Sequence, residues 1–266
     1  MKIAAALTLY HPTKENITNI LQYINFFDYI YIYDNSENNN LYCHYFNHNK
    51  KINYIYNGKN DGLPVALNKM KNLAIGDNMD YLCTLDQDSV LTKKTFDIIK
   101  YDILNLNFNI GIICPRIKYQ HLKLKKVKER YTHKKWCICS GSFLNLKLIK
   151  KYNISYDEYY FIDRFEIDFC HQLNKYNLKI ICDNYAVLNH QLGEEEKRPS
   201  HLPYRYYLMS KNRFYYYYKY YNVYIAFLFS IILSSKQCIY IILFEKDKLK
   251  KIISTINGIV DFYRGG

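Results

Sequence analysis

The chain has 266 residues, enough to bury a full core in one large domain or in one domain with an appendage. Lys and Arg number 37 against 24 Asp and Glu, a formal net charge of +13 that points to an anionic partner: a nucleotide, a phospholipid surface or nucleic acid. Eight cysteines without Cys-x-x-Cys pairing argue against a zinc knuckle and read as small buried hydrophobes in a reducing compartment, while the 31 tyrosines, with the many Asn and Lys, reflect AT-rich coding rather than function.

The N-terminus is apolar after one lysine, as in a signal peptide. It runs straight into His11-Pro12-Thr13 with no small-residue cleavage site, so residues 3–10 are expected to be a first core strand. Thr13 can cap a helix carrying Ile17, Ile20, Leu21 and Ile24 at helical spacing. Residues 29–33 form a second strand, stopped by the turn-forming run 34–40, and residues 52–56 a third, followed by a polar loop and a helix from about Pro64. Residues 81–85, a helix from about Thr92, and residues 110–114 continue the alternation. This pattern predicts a parallel, doubly wound α/β half whose ligand site lies at the carboxyl ends of the strands. There the sequence places Thr8, Tyr10, Asp34, Asn57, Asn60, Asp86 and Asp88.

Asp86-Gln87-Asp88 directly follows an apolar strand, which puts two hard oxygen ligands at a sheet edge. Ser140-Gly141-Ser142 reads as a tight loop where the backbone can approach a ligand, or as a simple turn. In residues 160–168, a helix would bring Asp163 and Glu166 to one face and leave Asp168 elsewhere. A carboxylate there suits a general base, although acidic residues also favour a helix N-terminus. His190 follows another apolar run and is read as a metal ligand or a packed side chain. The basic run 121–135, with Lys123, Lys125, Lys126, Lys128, Arg130, Lys134 and Lys135, is a solvated loop or a contact to anionic lipid. Residues 203–213 open an aromatic, basic helix. Residues 223–244 are apolar except for Ser234-Ser235-Lys236-Gln237, which predicts two shorter helices, on a membrane interface or in a plain helical bundle, rather than one span.

Several motifs in order carry a resemblance: Tyr33-Asp34-Asn35-Ser36; Asn57-x-x-Asn60-x-Gly62-x-x-x-Ala66-Leu67-Asn68; Leu85-Asp86-Gln87-Asp88-Ser89; Ser140-Gly141-Ser142; Phe161-Ile162-Asp163 with Glu166 and Asp168; and Leu188-x-His190-x-Leu192-Gly193. Together, and with Asn257-Gly258-Ile259-Val260-Asp261 near the end, they resemble the family 2 glycosyltransferases, within them the bacterial rhamnosyltransferase-like branch. The resemblance implies a GT-A type, Rossmann-like fold over residues 1–200, with a donor half 1–115, an acceptor half 116–200 and a helical, membrane-associated extension 201–266. It implies inverting transfer of a sugar, L-rhamnose being the one it suggests, from a dTDP- or UDP-sugar to a hydroxyl of a glycan or polyprenyl-diphosphate-linked glycan. The setting would be surface polysaccharide synthesis at the cytoplasmic face of the inner membrane, with no nucleic acid partner.

The same resemblance sets the roles. The donor nucleotide would meet Thr8, Tyr10, Asp34 (nucleobase), Asn60, Asn68 and Asp86 (ribose). Asp88 and His190 would hold Mg²⁺ or Mn²⁺. Glu166 would be the base, with Asp163 in reserve, and Ser140, Gly141, Arg205 and Arg213 would contact acceptor or phosphate. The chain departs from that branch by Glu166 in place of Asp and Gln172 in place of Arg. Two rival readings are a non-catalytic basic protein that binds membrane surfaces or nucleic acid, and a nucleotidyltransferase, whose glycine-rich phosphate loop is missing here.

Overall fold

The computed structural model describes residues 1–37, 42–46, 49–106, 109–119, 124, 127–190 and 201–265, without the side chains of Tyr119 and His190. Two compact units emerge, Met1–Glu158 with Glu166–Leu192, and Tyr159–Phe165 with Gly193–Gly266.

In the first unit β1 (Ile3–Leu9) is buried along its whole length. It lies between β2 (Tyr29–Asp34) and β4 (Tyr81–Asp86), both parallel to it, with β3 (Ile52–Tyr56) outside β2. A strand covered on both faces reads as continuous apolar sequence, and Ala4, Ala5 and Ala6 are fully buried within it. The crossovers are α1 (Lys14–Tyr23), α2 (Leu63–Gly76) and α3 (Lys93–Asn105). Thr13 and Asn16 form a capping box on α1, and Thr92 accepts from the Thr95 N–H at the start of α3.

Beyond β4 the sheet is mixed. β5 (Ser89–Val90), β6 (Ile110–Tyr119), β7 (Tyr131–Lys134), β8 (Ser142–Asn145) and β9 (Lys179–His190) extend it in the order β3-β2-β1-β4-β8-β6-β9-β5, with β7 also on β9. β8 runs antiparallel between β4 and β6, and β6 and β9 are parallel. α4 (Leu146–Lys151) and α5 (Phe165–Lys175) complete the layers.

The second unit holds α6 (Pro203–Tyr220), α7 (Val223–Phe244) and α8 (Lys248–Tyr263). α8 packs closely on α6 at Gly258, where an added Cβ would lie 2.2 Å from the Tyr207 carbonyl oxygen. The expected break at residues 234–237 does not occur, and α7 is one helix of 22 residues. Its buried positions Ala226, Ser230, Ser234, Gln237 and Ile241 recur every three or four residues, so the helix is not interrupted: Ser235 and Lys236 are exposed, while Ser230, Ser234 and Gln237 share one inward face. Arg213 of α6 meets them there. Its Nη1 donates to Ser234 Oγ at 2.9 Å and its Nη2 to Gln237 Oε1 at 2.7 Å. Alongside, Tyr206 Oη donates to Glu245 Oε1 at 2.8 Å, and Lys251 Nζ pairs with Glu245 Oε2 at 2.5 Å. The outward surface of α7 is apolar instead, with Val223, Phe227, Leu228, Ile239, Ile242 and Leu243 exposed.

Candidate functional site

The three central parallel strands end level. Thr8 of β1 is paired with Tyr33 of β2 and Asp86 of β4, and Leu9 with Asp34. Asp34 is 1% exposed. Its Oδ1 accepts from the Ser36 N–H at 2.9 Å and its Oδ2 accepts from Tyr54 Oη. Burial, then the bond and charge of Asp34, push the Tyr54 hydroxyl far above its ordinary range, so it stays a donor. Asn35 Oδ1 accepts from the Asp61 N–H at 3.2 Å and Asn60 Oδ1 from the Gly62 N–H at 3.2 Å, which folds the loop after β3 back onto the end of β2. Asn68 sits deeper, on α2. Its Oδ1 accepts from the Tyr156 N–H at 3.0 Å and its Nδ2 donates to the Tyr156 carbonyl at 2.7 Å and to Glu158 at 2.9 Å, so its amide braces residues 156–158. The nucleotide contact expected of Asn68 falls on a residue whose amide is already engaged by residues 156–158.

Gln87, the middle residue of Asp-x-Asp, was missed by sequence reading. Its Oε1 accepts from the Tyr10 N–H at 2.9 Å and its Nε2 donates to the Tyr10 carbonyl at 3.2 Å, a reciprocal pair that ties the turn after β4 to the end of β1. The signal lay in the amide, whose separate oxygen and nitrogen can satisfy a backbone donor and a backbone acceptor at once.

A chain of hydrogen bonds then joins motifs far apart in sequence. The Asp86 N–H donates to Ser89 Oγ at 3.2 Å, and Ser89 Oγ is hydrogen-bonded to Ser140 Oγ, both hydroxyls being buried. The Gly141 N–H donates to the Thr84 carbonyl at 2.7 Å. Gly141 has φ +78, and a Cβ there would come within 2.9 Å of Leu188 and 3.0 Å of Pro115. The Cys139 N–H donates to Glu166 Oε1 at 3.2 Å. Burial raises the Cys139 thiol, and the charges of Glu166 and Asp86 raise it further, so both carboxylates lie within electrostatic reach of one buried sulfur.

The expectation that Asp163 and Glu166 share a helical face is corrected. α5 starts at Phe165, and Asp163 and Arg164 precede it in left-handed backbone, with φ 63 and 69. The i, i+3 relation holds only inside a helix. Asp163 belongs to the second unit, where Arg205 grips it with two bonds, Nη2 to Oδ1 at 2.9 Å and Nε to Oδ2 at 3.2 Å. Arg213 lies inside the same unit, so the phosphate contact expected of it gives way to the interior bonds described above. Asp168 is fully buried and accepts from Gln172 Nε2 at 2.8 Å, while the Gln172 amide also bonds both backbone groups of Ser155.

The pairing of β5 with β9 sets Ser89 opposite His190, so the backbone of His190 lies across the ladder from the residue that follows Asp88. The His190 side chain, Leu192-Gly193, and Lys123, Lys125 and Lys126 of the basic run lie outside the described residues. Among the described residues, no three His, Cys, Asp or Glu side chains gather for a metal. Carboxylate and imidazole, the groups that Asp86, Asp88 and His190 carry, are ligand types that suit Mg²⁺ or Mn²⁺.

The sequence profile described as glycosyl transferase family 2 matches residues 11–107, the strand and helix repeats that carry Asp34 and Asp86. No curated protein matches the chain by sequence. Among solved structures, S. aureus TarS residues 1–349 in complex with UDP-GlcNAc aligns with 99% of this chain and 81% of its own, at 13% identity and TM-score 0.63. GalNAc-T7 with UDP, GalNAc and Mn2+ aligns with 80% of this chain and 46% of its own, at 12% identity and TM-score 0.60. The fold is GT-A. In this GT-A sheet the level ends of β1, β2 and β4 form the carboxyl edge where open α/β sheets place their ligands, and Asp34, Asp86 and Asp88 all lie on it.

Proposed function

We propose that the chain is an inverting glycosyltransferase that moves a sugar from a nucleoside diphosphate donor to a hydroxyl of a glycan. The observation that carries this reading is the path from Asp86 through Ser89 to Ser140 by hydrogen bonds, and from the adjoining Cys139 N–H to Glu166, which links the Asp-x-Asp turn to a partly exposed carboxylate. Asp34 lies at the nucleobase end and Asp86 at the ribose. Asp88 and His190 would hold a divalent cation, which when bound neutralises charge gathering on the diphosphate. Glu166 takes the proton of the acceptor hydroxyl as its oxygen bonds to the anomeric carbon, and the electrons of the broken carbon–oxygen bond leave with the nucleoside diphosphate. Cys139 N–H holds the Glu166 carboxylate in place for that transfer.

TarS binds UDP-GlcNAc, which favours a uridine donor, while the sequence resemblance favours dTDP-L-rhamnose. GalNAc-T7 with UDP and Mn2+ supports manganese as the cation to try first. A panel of UDP- and dTDP-sugars, followed by transfer and by donor hydrolysis, tests the reading. Mn²⁺ with UDP or dTDP should raise the melting temperature, and Asp88→Asn should abolish the rise. A rise produced only by oligonucleotide or anionic vesicles would sink the transferase and favour the non-catalytic basic protein.

The helical unit supports a lipid-linked acceptor at a membrane surface. α7 turns its polar stripe inward and its apolar side chains outward, the reverse of a helix in water, and its 22 residues span about 33 Å. Lys236 is exposed near the middle of that helix, where a span would place a charge at the bilayer centre. The helix therefore lies along the interface, with Tyr224, Tyr240 and Tyr263 exposed for the headgroup level and Lys246, Lys248 and Lys250 exposed for anionic lipid.

A further inference from the structure

Next to the Asp-x-Asp ensemble the first unit holds a cavity of about 680 Å³, a volume typical of small-ligand sites. Its origin is in the sheet. β6 and β9 pair in register from Ile112 with Ile180 to Pro115 with Asp183, then resume at Arg116 with Val187. Pro115 has no N–H to give the ladder, and three residues of β9, Asn184 to Ala186, bulge out at that point. Arg116, Lys134 and Trp136 line the opening that results, and Ser140 contributes to its wall. Ser140 is the same residue whose hydroxyl bonds Ser89 beside Asp86, so the cavity shares a wall with the proposed reaction centre.

The lining has a definite chemistry. Trp136 is 50% exposed. An indole face left at a cavity wall is a platform for the C–H face of a sugar ring, because its π-cloud is negative and its body apolar. Arg116 and Lys134 both line this cavity. The Cys182 thiol, which also lines the cavity, is drawn below its ordinary value first by hydrogen bonding with Cys114, and Lys134 and Arg116 both lower it further. Both positive charges therefore act at one wall. Pro115, Ile117 and Ile138 make the rest of it apolar, which strengthens any charge pairing formed there.

We propose that this cavity is the acceptor subsite and that it selects a saccharide bearing an anionic group, phosphate or carboxylate, with a sugar ring stacked on Trp136 and the anion held by Arg116 and Lys134. This rests on the transferase reading, and it deepens it by naming the acceptor class. Guanidinium and ammonium together suit both anions, so the source of the negative charge is decided by comparing them directly.

Trp136 is the only tryptophan in the chain, so its emission reports occupancy of the cavity without any transfer chemistry. The full chain is titrated with glucose 1-phosphate, glucuronate, their disaccharide counterparts, neutral maltose and inorganic phosphate. Saturable quenching is expected with the anionic saccharides, at affinities at least about tenfold above maltose and above phosphate alone. The better of the phosphate and carboxylate series identifies the anion. Lys134→Gln and Arg116→Gln should each weaken that binding about tenfold or more while leaving maltose unaffected, and Arg116→Lys should restore part of it. Lys134 is exposed, so its variant tests the idea even where the Arg116 substitution disturbs folding, which circular dichroism would reveal. Equal affinity for neutral and anionic saccharides, an unchanged titration in Lys134→Gln, or no titration at all overturns the proposal. The UDP and Mn²⁺ melting shift is measured in parallel: saccharide binding without nucleotide binding overturns the acceptor assignment through the transferase reading, whereas nucleotide binding without saccharide binding overturns this subsite alone.

Discussion

Replacing Glu166 by glutamine separates its two duties. Among the contacts of the carboxylate is a bond from the Cys139 N–H to Oε1 at 3.2 Å. Glutamine keeps an acceptor oxygen at that point, so the loop carrying Ser140 and Gly141 should stay in place and the stability change should remain within about 0.5 kcal/mol. What is lost is the ability to take a proton. Removing a general base costs about 10² to 10⁴ in rate, or roughly 2.7 to 5.4 kcal/mol of barrier. Glu166→Asp makes the complementary change. It retracts the carboxylate by about 1.5 Å, one carbon–carbon bond, so an oxygen now 3.2 Å from the Cys139 nitrogen passes out of hydrogen-bond range. That variant should lose about 1 kcal/mol of stability and only part of its activity. The assay is initial-rate transfer for kcat and acceptor KM, together with donor affinity by calorimetry and urea midpoints for all three proteins. The expected result is a fall in kcat for Glu166→Gln at unchanged donor affinity. A Glu166→Gln enzyme within about threefold of the parent kcat would refute the base assignment, and loss of donor binding together with stability would refute the local geometry.

Gly141→Ala should cost about 2 to 4 kcal/mol in urea unfolding, from the left-handed backbone at φ +78 and the crowding against Leu188 and Pro115; a loss below 0.5 kcal/mol would mean the loop adapts freely. Lys71 is buried, its Nζ donates to the Ile154 carbonyl at 3.0 Å, and burial lowers its pKa to about 8. Between about 8 and the ordinary lysine value near 10.4, the unfolded chain binds a proton that the folded chain does not, so stability should rise with pH across that window by up to about 1.4 kcal/mol per unit. Urea midpoints at pH 7.5, 8.5 and 9.5 check this, and a Lys71→Met variant with the same slope would refute it. Phe227→Asp with Leu243→Asp, both on the outward surface of α7, should abolish co-sedimentation with anionic vesicles while leaving the melting temperature within a few degrees. Undiminished co-sedimentation would remove the membrane role of that face.

The alternation of apolar runs and helical spacings was enough to place β1 to β4 and their crossovers, because strands covered on both faces must be apolar throughout and end in polar residues at a common edge. Caps at Thr13 and Thr92 were legible for the same local reason. Sequence also singled out Asp34, Asp86, Asp88 and Glu166 as chemistry-bearing. It held no sign of what links them, since the Ser89 to Ser140 bond joins residues 51 apart and depends on β8 folding back against β4. The role of Asp163 changed for a backbone reason, two left-handed residues before α5 that remove the helical face on which the sequence reading relied. α7 changed for a packing reason. Ser234 and Gln237 look like a break when read along the chain, and become an inward stripe only once Arg213 of α6 supplies partners for them. The cavity beside Trp136 likewise comes from a register jump at Pro115, which exists only between two strands. Local pattern determined the elements and the polar edge; the groups that meet there were decided by contacts distant in sequence, which no local periodicity encodes.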